Sequence, residues 1–440
     1  MSPIAPPKAL IVAALVPPVH SGAGFSALKY AARLKREGEF AFLLTAAAKP
    51  SDDWDLGDEN LMEILRKDTV RVGRISENRK RKIGISLLAE NFYQFCSTAL
   101  VIFRRRREFS IVHCFSPTWL SFFASLMAKV IGKRLVVEIT LLGGDCPDSV
   151  SHNRAPILHE RKMIQFRMAH AIVCLSPAIR DVCLRAGFPE KKLALIPRAV
   201  DTGHFSPVDL QEKKRIRQKL DLPEDQTLIL FVGGILVRKG IDLLLEAFEE
   251  IAAERPETAL VLVGPVYENA DGKFWQSRIK ELQQVPLFRD RIFLKGRSQE
   301  VSDYMRAADL FVLPSRKEGF PNVLVEAMAS GVPAVASALS GTTATIIDPG
   351  KNGYIVEKED APTLARTILN ALERESKEPG VVGKSARLKV IEHFSNEKID
   401  QRYQKLYRRL FRVKDFTISE NSAAFPSDIS KSINRFEGEL

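Results

Sequence analysis

The sequence contains no run of about 18 or more apolar residues, which leaves no candidate for a membrane-spanning helix. Its five cysteines, Cys96, Cys114, Cys146, Cys174 and Cys183, are odd in number and include no CxxC pair. They support neither a disulfide framework nor a zinc site, and a reducing cytoplasm fits them. Zinc-finger spacing, an aromatic RNA-binding signature and a basic region leading into heptads are all missing, so nucleic acid is the weakest class of partner. No internal repeat of short period is visible. The N-terminal stretch MSPIAPPKALIVAALVPP lacks the charged start and cleavage site of a signal peptide, and its apolar run reads as a first buried strand.

What is present is a long basic chain. Its 440 residues exceed what one hydrophobic core normally organises, and two domains are expected. Apolar residues at 45% and charged residues at 27% are ordinary for a soluble globular protein. Lysine and arginine number 65 against 54 acidic residues, a net charge of +11 that favours phosphorylated substrates or an anionic membrane surface. Basic clusters stand at Arg79 to Lys82 and Arg104 to Arg107. Between them, Ile83 to Phe103 reads either as an ordinary helix with solvated arginines or as a helix leaning on anionic lipid headgroups.

Strand and helix patterns alternate along the chain. Residues 8–16, 40–45, 111–115, 134–140, 171–176 and 192–197 read as strands, with helices over 25–38, over 118–131 and up to Gly187. After Pro223 the rhythm restarts: strands at 227–234, 258–264, 291–296, 309–314 and 332–337, and helices over 241–255, 322–330 and 361–375, with a short one at 301–308. This is an α/β pattern of two doubly wound, Rossmann-like halves. Ligands of such sheets bind beyond the carboxyl ends of the strands, and two facing sheets would offer a cleft. The expected divisions are 1–205, 206–394 with a polar connection at 206–226, a closing helix at 395–413 that packs back on the N-terminal domain, and a disordered tail at 414–440.

The richest window is DLFVLPSRKEGFPNVLVEAMASGVP. A strand ends at Pro314-Ser315, a charged loop presents Glu318, and Gly319-Phe320-Pro321-Asn322 turns into a helix with Asn322 as its expected cap. Gly331 ends that helix. Glu326 sits one turn inside an otherwise apolar helix and needs a partner. Either the helix N-terminus and a salt bridge account for it, or it accepts two neighbouring hydroxyls, as on a ribose.

Glu318 and Glu326, separated by seven residues within EGFPNVLVEAMASGVPAVAS, resemble the signature of the family 4 glycosyltransferases with the GT-B fold. Gly22-Ala23-Gly24, LIPRAVDTGHFSP (195–207), FVGGILVRKGIDLLLEAF (231–248), LVGP (262–265) and KNGYIVE (351–357) extend the resemblance over nearly the whole chain. It implies a retaining, hexosyltransferase-type enzyme that takes a sugar from a nucleoside-diphosphate donor, UDP- or GDP-linked, and needs neither metal nor cofactor. Glu326 then resembles the glutamate on the donor ribose, and Glu318 the one at the transferred sugar. Gly319, Phe320, Pro321 and Asn322 resemble the loop facing sugar and phosphate, Lys239 the cation on the diphosphate, and Arg297 the nucleobase position. Gly22 and Gly24 resemble the acceptor-side loop. A cation such as Lys239 stabilises the departing diphosphate more in the transition state than in the ground state; its alternative is a solvated lysine in a turn.

Three departures stand against the family pattern. Gly234 occupies a position where many relatives carry a second diphosphate-clamping arginine, and Arg238, adjacent to Lys239, is the candidate substitute. The loop Thr140 to Asp145 has no histidine; Asp145 is its polar candidate, or a loop cap. Ser340-Gly341-Thr342-Thr343 lacks a glutamate common just beyond it. A front-face route, in which the leaving phosphate takes the acceptor's proton, requires no protein base, and His20 and His113 follow strands of the first half. The resemblance places the enzyme in cell-surface polysaccharide or glycolipid synthesis, with a saccharide or lipid-linked acceptor, in the cytoplasm at the inner face of a membrane. A catalytically silent homologue serving as a partner subunit, and an epimerase or phosphorylase on the same fold, are the alternatives.

Overall fold

A computed structural model describes residues 7–17, 22–46, 56, 58–72, 85–147 and 156–412. His20, the cluster Arg79 to Lys82 and the tail 414–440 lie outside these residues. Two compact units are found. Among the described residues, the first takes 7–197 and 402–412, and the second takes 198–401.

The first unit holds β1 (Ala9–Ala13), β2 (Phe40–Thr45), β3 (Thr69–Arg71), β4 (Ile111–Phe115), β5 (Arg134–Ile139), β6 (Ala171–Cys174) and β7 (Leu193–Leu195). They pair in parallel in the order β3-β2-β1-β4-β5-β6-β7. The second holds β8 (Thr227–Val232), β9 (Thr258–Val263), β10 (Ile292–Gly296), β11 (Leu310–Leu313), β12 (Ala334–Ser337) and β13 (Tyr354–Val356), parallel in the order β10-β9-β8-β11-β12-β13. Both sheets are doubly wound, as the alternating pattern predicts. Central strands are apolar runs because helices cover both faces. In β8, Leu228, Leu230 and Val232 enter one core, and Ile229 and Phe231 the other. Chain order reverses between β1 and β4, and between β8 and β11; crevices for ligands form beyond the carboxyl ends at such reversals.

The boundary between the units falls at 197/198 rather than at the expected 205/206. Residues 198–205 are bound into the second unit. Val200 N–H donates to the Phe394 carbonyl at 2.9 Å, and Arg387 donates to the carbonyls of Phe205 and Thr202 at 3.0 and 3.1 Å. The connection expected at 206–226 contains the helix Leu210–Lys219, capped by Asp209. Its anchor is polar. Buried Arg217 donates to the Ala307, Glu224 and Gln226 carbonyls and pairs with Asp309 at 2.7 Å.

The closing helix, Asn396–Arg412, divides between the units, its residues from Arg402 onward grouping with the first. There it meets a buried polar cluster. Glu138 of β5 and His113 of β4 are both fully buried. Tyr403 Oη donates to Glu138 Oε2 at 2.8 Å, and Tyr407 Oη lies 2.8 Å from His113 Nδ1. His113 stands within β4 rather than after it as expected, and packs among Tyr30, Phe115, Tyr403 and Tyr407. Tyr403→Phe removes a hydrogen bond from a buried carboxylate. It is expected to cost the first unit roughly 1–3 kcal/mol, read as faster hydrogen exchange at β4 and β5 amides.

Candidate active site

At the reversal between β8 and β11 the second unit brings together Lys239, Asp242, Arg316 and Glu318. β8 runs into Gly233-Gly234, the turn Val237–Lys239 and then the helix Ile241–Glu254. Gly240 between turn and helix has φ +75°, and a Cβ there would lie 2.0 Å from the Pro314 carbonyl oxygen. Only glycine allows both the left-handed turn and this approach. The loop after β8 is thereby pressed against the loop after β11.

Arg316 ties the two loops. Its guanidinium takes Asp242 with two bonds of 2.7 Å, Glu359 at 2.6 Å and the Val237 carbonyl at 2.5 Å. Its backbone N–H donates to the Arg238 carbonyl at 3.0 Å. Hydrogen bonding to Asp242 raises the pKa of Arg316 above its already high ordinary value, so it stays charged. Nothing in the sequence singled it out beyond membership of a charged loop.

Within this brace, Lys239 Nζ and Glu318 Oε1 meet at 2.5 Å, with only 16% and 8% of the side chains exposed. The two residues expected to act on diphosphate and sugar are therefore neighbours. Arg238 is exposed and gives one guanidinium N–H to the Lys317 carbonyl at 2.9 Å.

Asn322 N–H donates to the Phe320 carbonyl at 3.1 Å, making a tight turn into the helix Asn322–Ala329. Gly319 and Pro321 are buried, and the Phe320 ring packs on Phe394. Asn322 is not the cap. Pro321 holds that position with no side-chain bond, Asn322 is the first helical residue, and its Oδ1 is buried without a hydrogen-bond partner. Asn322, Val323 and Glu326 form the strip of this helix that is not fully buried, while Leu324, Val325, Ala327 and Met328 face the core. Glu326 is thus one turn beyond Asn322 on the same side, about 6 Å along the axis. Gly331, at φ +73°, follows the helix end as expected.

Other expected residues are placed elsewhere. Arg297 is exposed after β10, two strands from β8 and so about 10 Å across the sheet. Gly22 and Gly24 belong to the first unit and are not a free loop. They form the first turn of the helix Gly22–Arg36, and a Cβ on Gly24 would lie 1.7 Å from the Leu15 carbonyl oxygen, so close packing requires that glycine. Asp145, also in the first unit, locks its own loop. Its Oδ2 accepts from Thr140 Oγ1 at 2.5 Å, Ser116 Oγ at 3.1 Å and Thr140 N–H at 3.3 Å.

The chain matches known families over most of its length. Residues 21–204 match the family described as Glycosyltransferase Family 4, and residues 212–389 the one described as Glycosyl transferases group 1. It is 29% identical over 220 residues to mannosylfructose-phosphate synthase of Agrobacterium fabrum, covering 49% of this chain and 48% of that protein. It is 24% identical over 308 residues to N-acetyl-alpha-D-glucosaminyl L-malate synthase of Bacillus anthracis, covering 70% and 77%. The chain thus spans about half the length of the first relative. Anabaena HepE, solved in complex with UDP and glucose, superposes with a TM-score of 0.71 at 17% identity, covering 92% of this chain and 100% of that one. Sucrose-phosphate synthase from Thermosynechococcus elongatus gives 0.70 at 23% identity, covering 92% and 99%. Two doubly wound parallel units with these neighbours define a GT-B protein. The chain belongs to the family 4, group 1 glycosyltransferases.

The brace around the Lys239–Glu318 pair is open to measurement. Arg316→Ala and Asp242→Asn each break the same contact, so the double variant should be less destabilised than the sum of the singles. A coupling of about 1 kcal/mol or more in urea titrations of the second unit is expected; additive costs would show that the two residues act separately.

Proposed function

We propose that the protein is a retaining glycosyltransferase that moves a sugar from a nucleoside-diphosphate donor to a saccharide or lipid-linked acceptor. The observation that carries this reading is the 2.5 Å Lys239–Glu318 contact at the chain reversal of the second sheet, with Glu326 on the helix that follows. In this reading the second unit binds the donor. Lys239 meets the diphosphate and Glu318 the transferred sugar. The N–H groups of Gly319 and Phe320 face anionic oxygens just ahead of a helix, since Pro321 has none and Asn322 gives its own to Phe320; Glu326 accepts the ribose hydroxyls and Arg297 lies toward the base. A uridine diphosphate donor is supported by the UDP and glucose named for Anabaena HepE. The first unit takes the acceptor, and the buried helix start at Gly24 stands after β1 on that side.

Stabilisation of the leaving group follows from charge. As the glycosidic bond breaks, the diphosphate gains negative charge, and an ammonium already fixed beside it needs no reorganisation. Glu318 holds that ammonium in place through their contact. The leaving phosphate then accepts the acceptor's proton, and Asp145, occupied by Thr140 and Ser116, is not needed as a base.

The setting we propose is polysaccharide or glycolipid synthesis at an anionic membrane face. Among the described residues no helix is long and apolar enough to cross a membrane. The helix Ile85–Arg104 nevertheless exposes Phe92, Tyr93, Cys96, Leu100 and Phe103. That spacing lies along one helical face, and exposed Arg104 and Arg107 follow it.

Titration calorimetry across UDP-, GDP- and ADP-sugars tests the donor site. Glu326→Ala should weaken the preferred donor by roughly 1.5–3 kcal/mol, and an unchanged affinity would remove the ribose assignment. A polarity-sensitive dye on Cys96 should shift to the blue with phosphatidylglycerol vesicles at low salt and not with phosphatidylcholine. No shift on the anionic vesicles would remove the membrane assignment.

A further inference from the structure

Gly234 has no backbone reason to be glycine, since its φ is outside the left-handed region. What stands over it is the outer end of a side chain from the next loop, one that a larger residue could push aside. A Cβ at 234 would lie 2.8 Å from Tyr267 Cε2 and 3.1 Å from the Tyr267 hydroxyl oxygen. The phenol ring therefore occupies the volume into which a side chain at 234 would grow, the position at which an arginine is expected from the family pattern.

Tyr267 is held there by its backbone. Ile235 N–H donates to the Pro265 carbonyl at 3.0 Å, and Ile235 pairs with Val266 in a β-bridge. A Cβ on Gly264 would lie 1.9 Å from the Gly233 carbonyl oxygen, and one on Gly272 would lie 2.1 Å from the Tyr267 carbonyl oxygen. These glycines bring the ends of β8 and β9 together and seat Tyr267 against the first turn of the helix Ala270–Gln284. The side chain remains 45% exposed, and its hydroxyl bonds to no described residue. On the other side of the Gly233-Gly234 pair, Lys239 Cδ would be 3.8 Å from a Cβ on Gly233. Lys239 and Tyr267 thus flank two consecutive glycines at the carboxyl end of one strand.

We propose that Tyr267 is a donor-site residue whose hydroxyl donates a hydrogen bond to the diphosphate of a nucleoside-diphosphate sugar, replacing a second cation. The proposal rests on the donor site described above. Chemically, a neutral phenol adds a directed donor beside an ammonium whose charge Glu318 already balances, without a further buried cation to desolvate. The side-chain contacts to the diphosphate in this chain are then one ammonium and one hydroxyl, beside the loop N–H groups.

Calorimetry with UDP, GDP and ADP and their monophosphates, on the full chain, tests it. Tyr267→Phe is expected to lower affinity for the preferred diphosphate at least about tenfold while leaving the monophosphate unchanged. Equal affinity of Tyr267→Phe and wild type for the diphosphate, with Glu326→Ala still weakening both nucleotides, overturns the role of Tyr267 and leaves the donor site standing. An unaltered Glu326→Ala, or a wild type that binds no nucleotide, overturns the donor-site reading itself and the Tyr267 role with it. Gly234→Arg in the Tyr267→Ala background should regain diphosphate affinity over Tyr267→Ala alone. No regain overturns the claim that ring and arginine compete for one place.

Discussion

A lysine and a glutamate meeting at 2.5 Å, both largely buried, set the terms for the rest of the second unit. Such a contact survives only if both partners are kept from drifting, because either charge left alone at that depth would be costly. The fold meets this demand twice. Gly240 lets the loop after β8 settle onto Pro314, and Arg316 fastens that loop from the side through Asp242, Glu359 and the Val237 carbonyl. The charged pair is thus mounted on a rigid junction rather than on two independent loops.

That junction also explains the order of the strands around it. β8 and β11 lie side by side, and chain direction across the sheet reverses between them. The helices that follow β8 and β11 pack into cores on opposite faces of the sheet, while the two loops meet at the reversal through Gly240 and Pro314. Lys239 comes from one lip and Glu318 from the other. In the proposed reaction the leaving group meets the fixed ammonium here, and Tyr267 extends the same lip from β9.

The doubly wound pattern was legible because buried parallel strands are apolar runs bounded by glycine and by helical spacing. Most strands lie within two or three residues of their expected limits. β3 and β13 were not read. Each is a three-residue outer strand, partly exposed, with too few apolar positions to show a period. The helix Leu210–Lys219 was also missed, since its chief anchor is an arginine rather than an apolar stripe. At the site, Glu318, Lys239 and Glu326 were legible as a motif with fixed spacing. Arg316 and Asp242 were not, because they are 74 positions apart and only the seat of Gly240 on Pro314 makes them neighbours. Tyr267 escaped for the same reason: steric exclusion across two loops leaves no trace in the spacing of either. Asn322 misled in the other direction, as a residue favoured at helix caps that the tight Phe320 turn carries one position further in.

The polar cluster of His113 and Glu138 has a bearing on how the chain is made. Both residues sit in the middle of the first sheet, yet the hydroxyls that bond to them belong to Tyr403 and Tyr407. During synthesis the strands of that sheet emerge from the ribosome first, and the whole second unit follows before those tyrosines exist. A buried carboxylate and imidazole must wait, solvated or loosely packed, until the last helix arrives. The unit translated first is therefore the unit completed last, and a chain interrupted before Tyr403 would lack the two hydroxyls that reach His113 and Glu138.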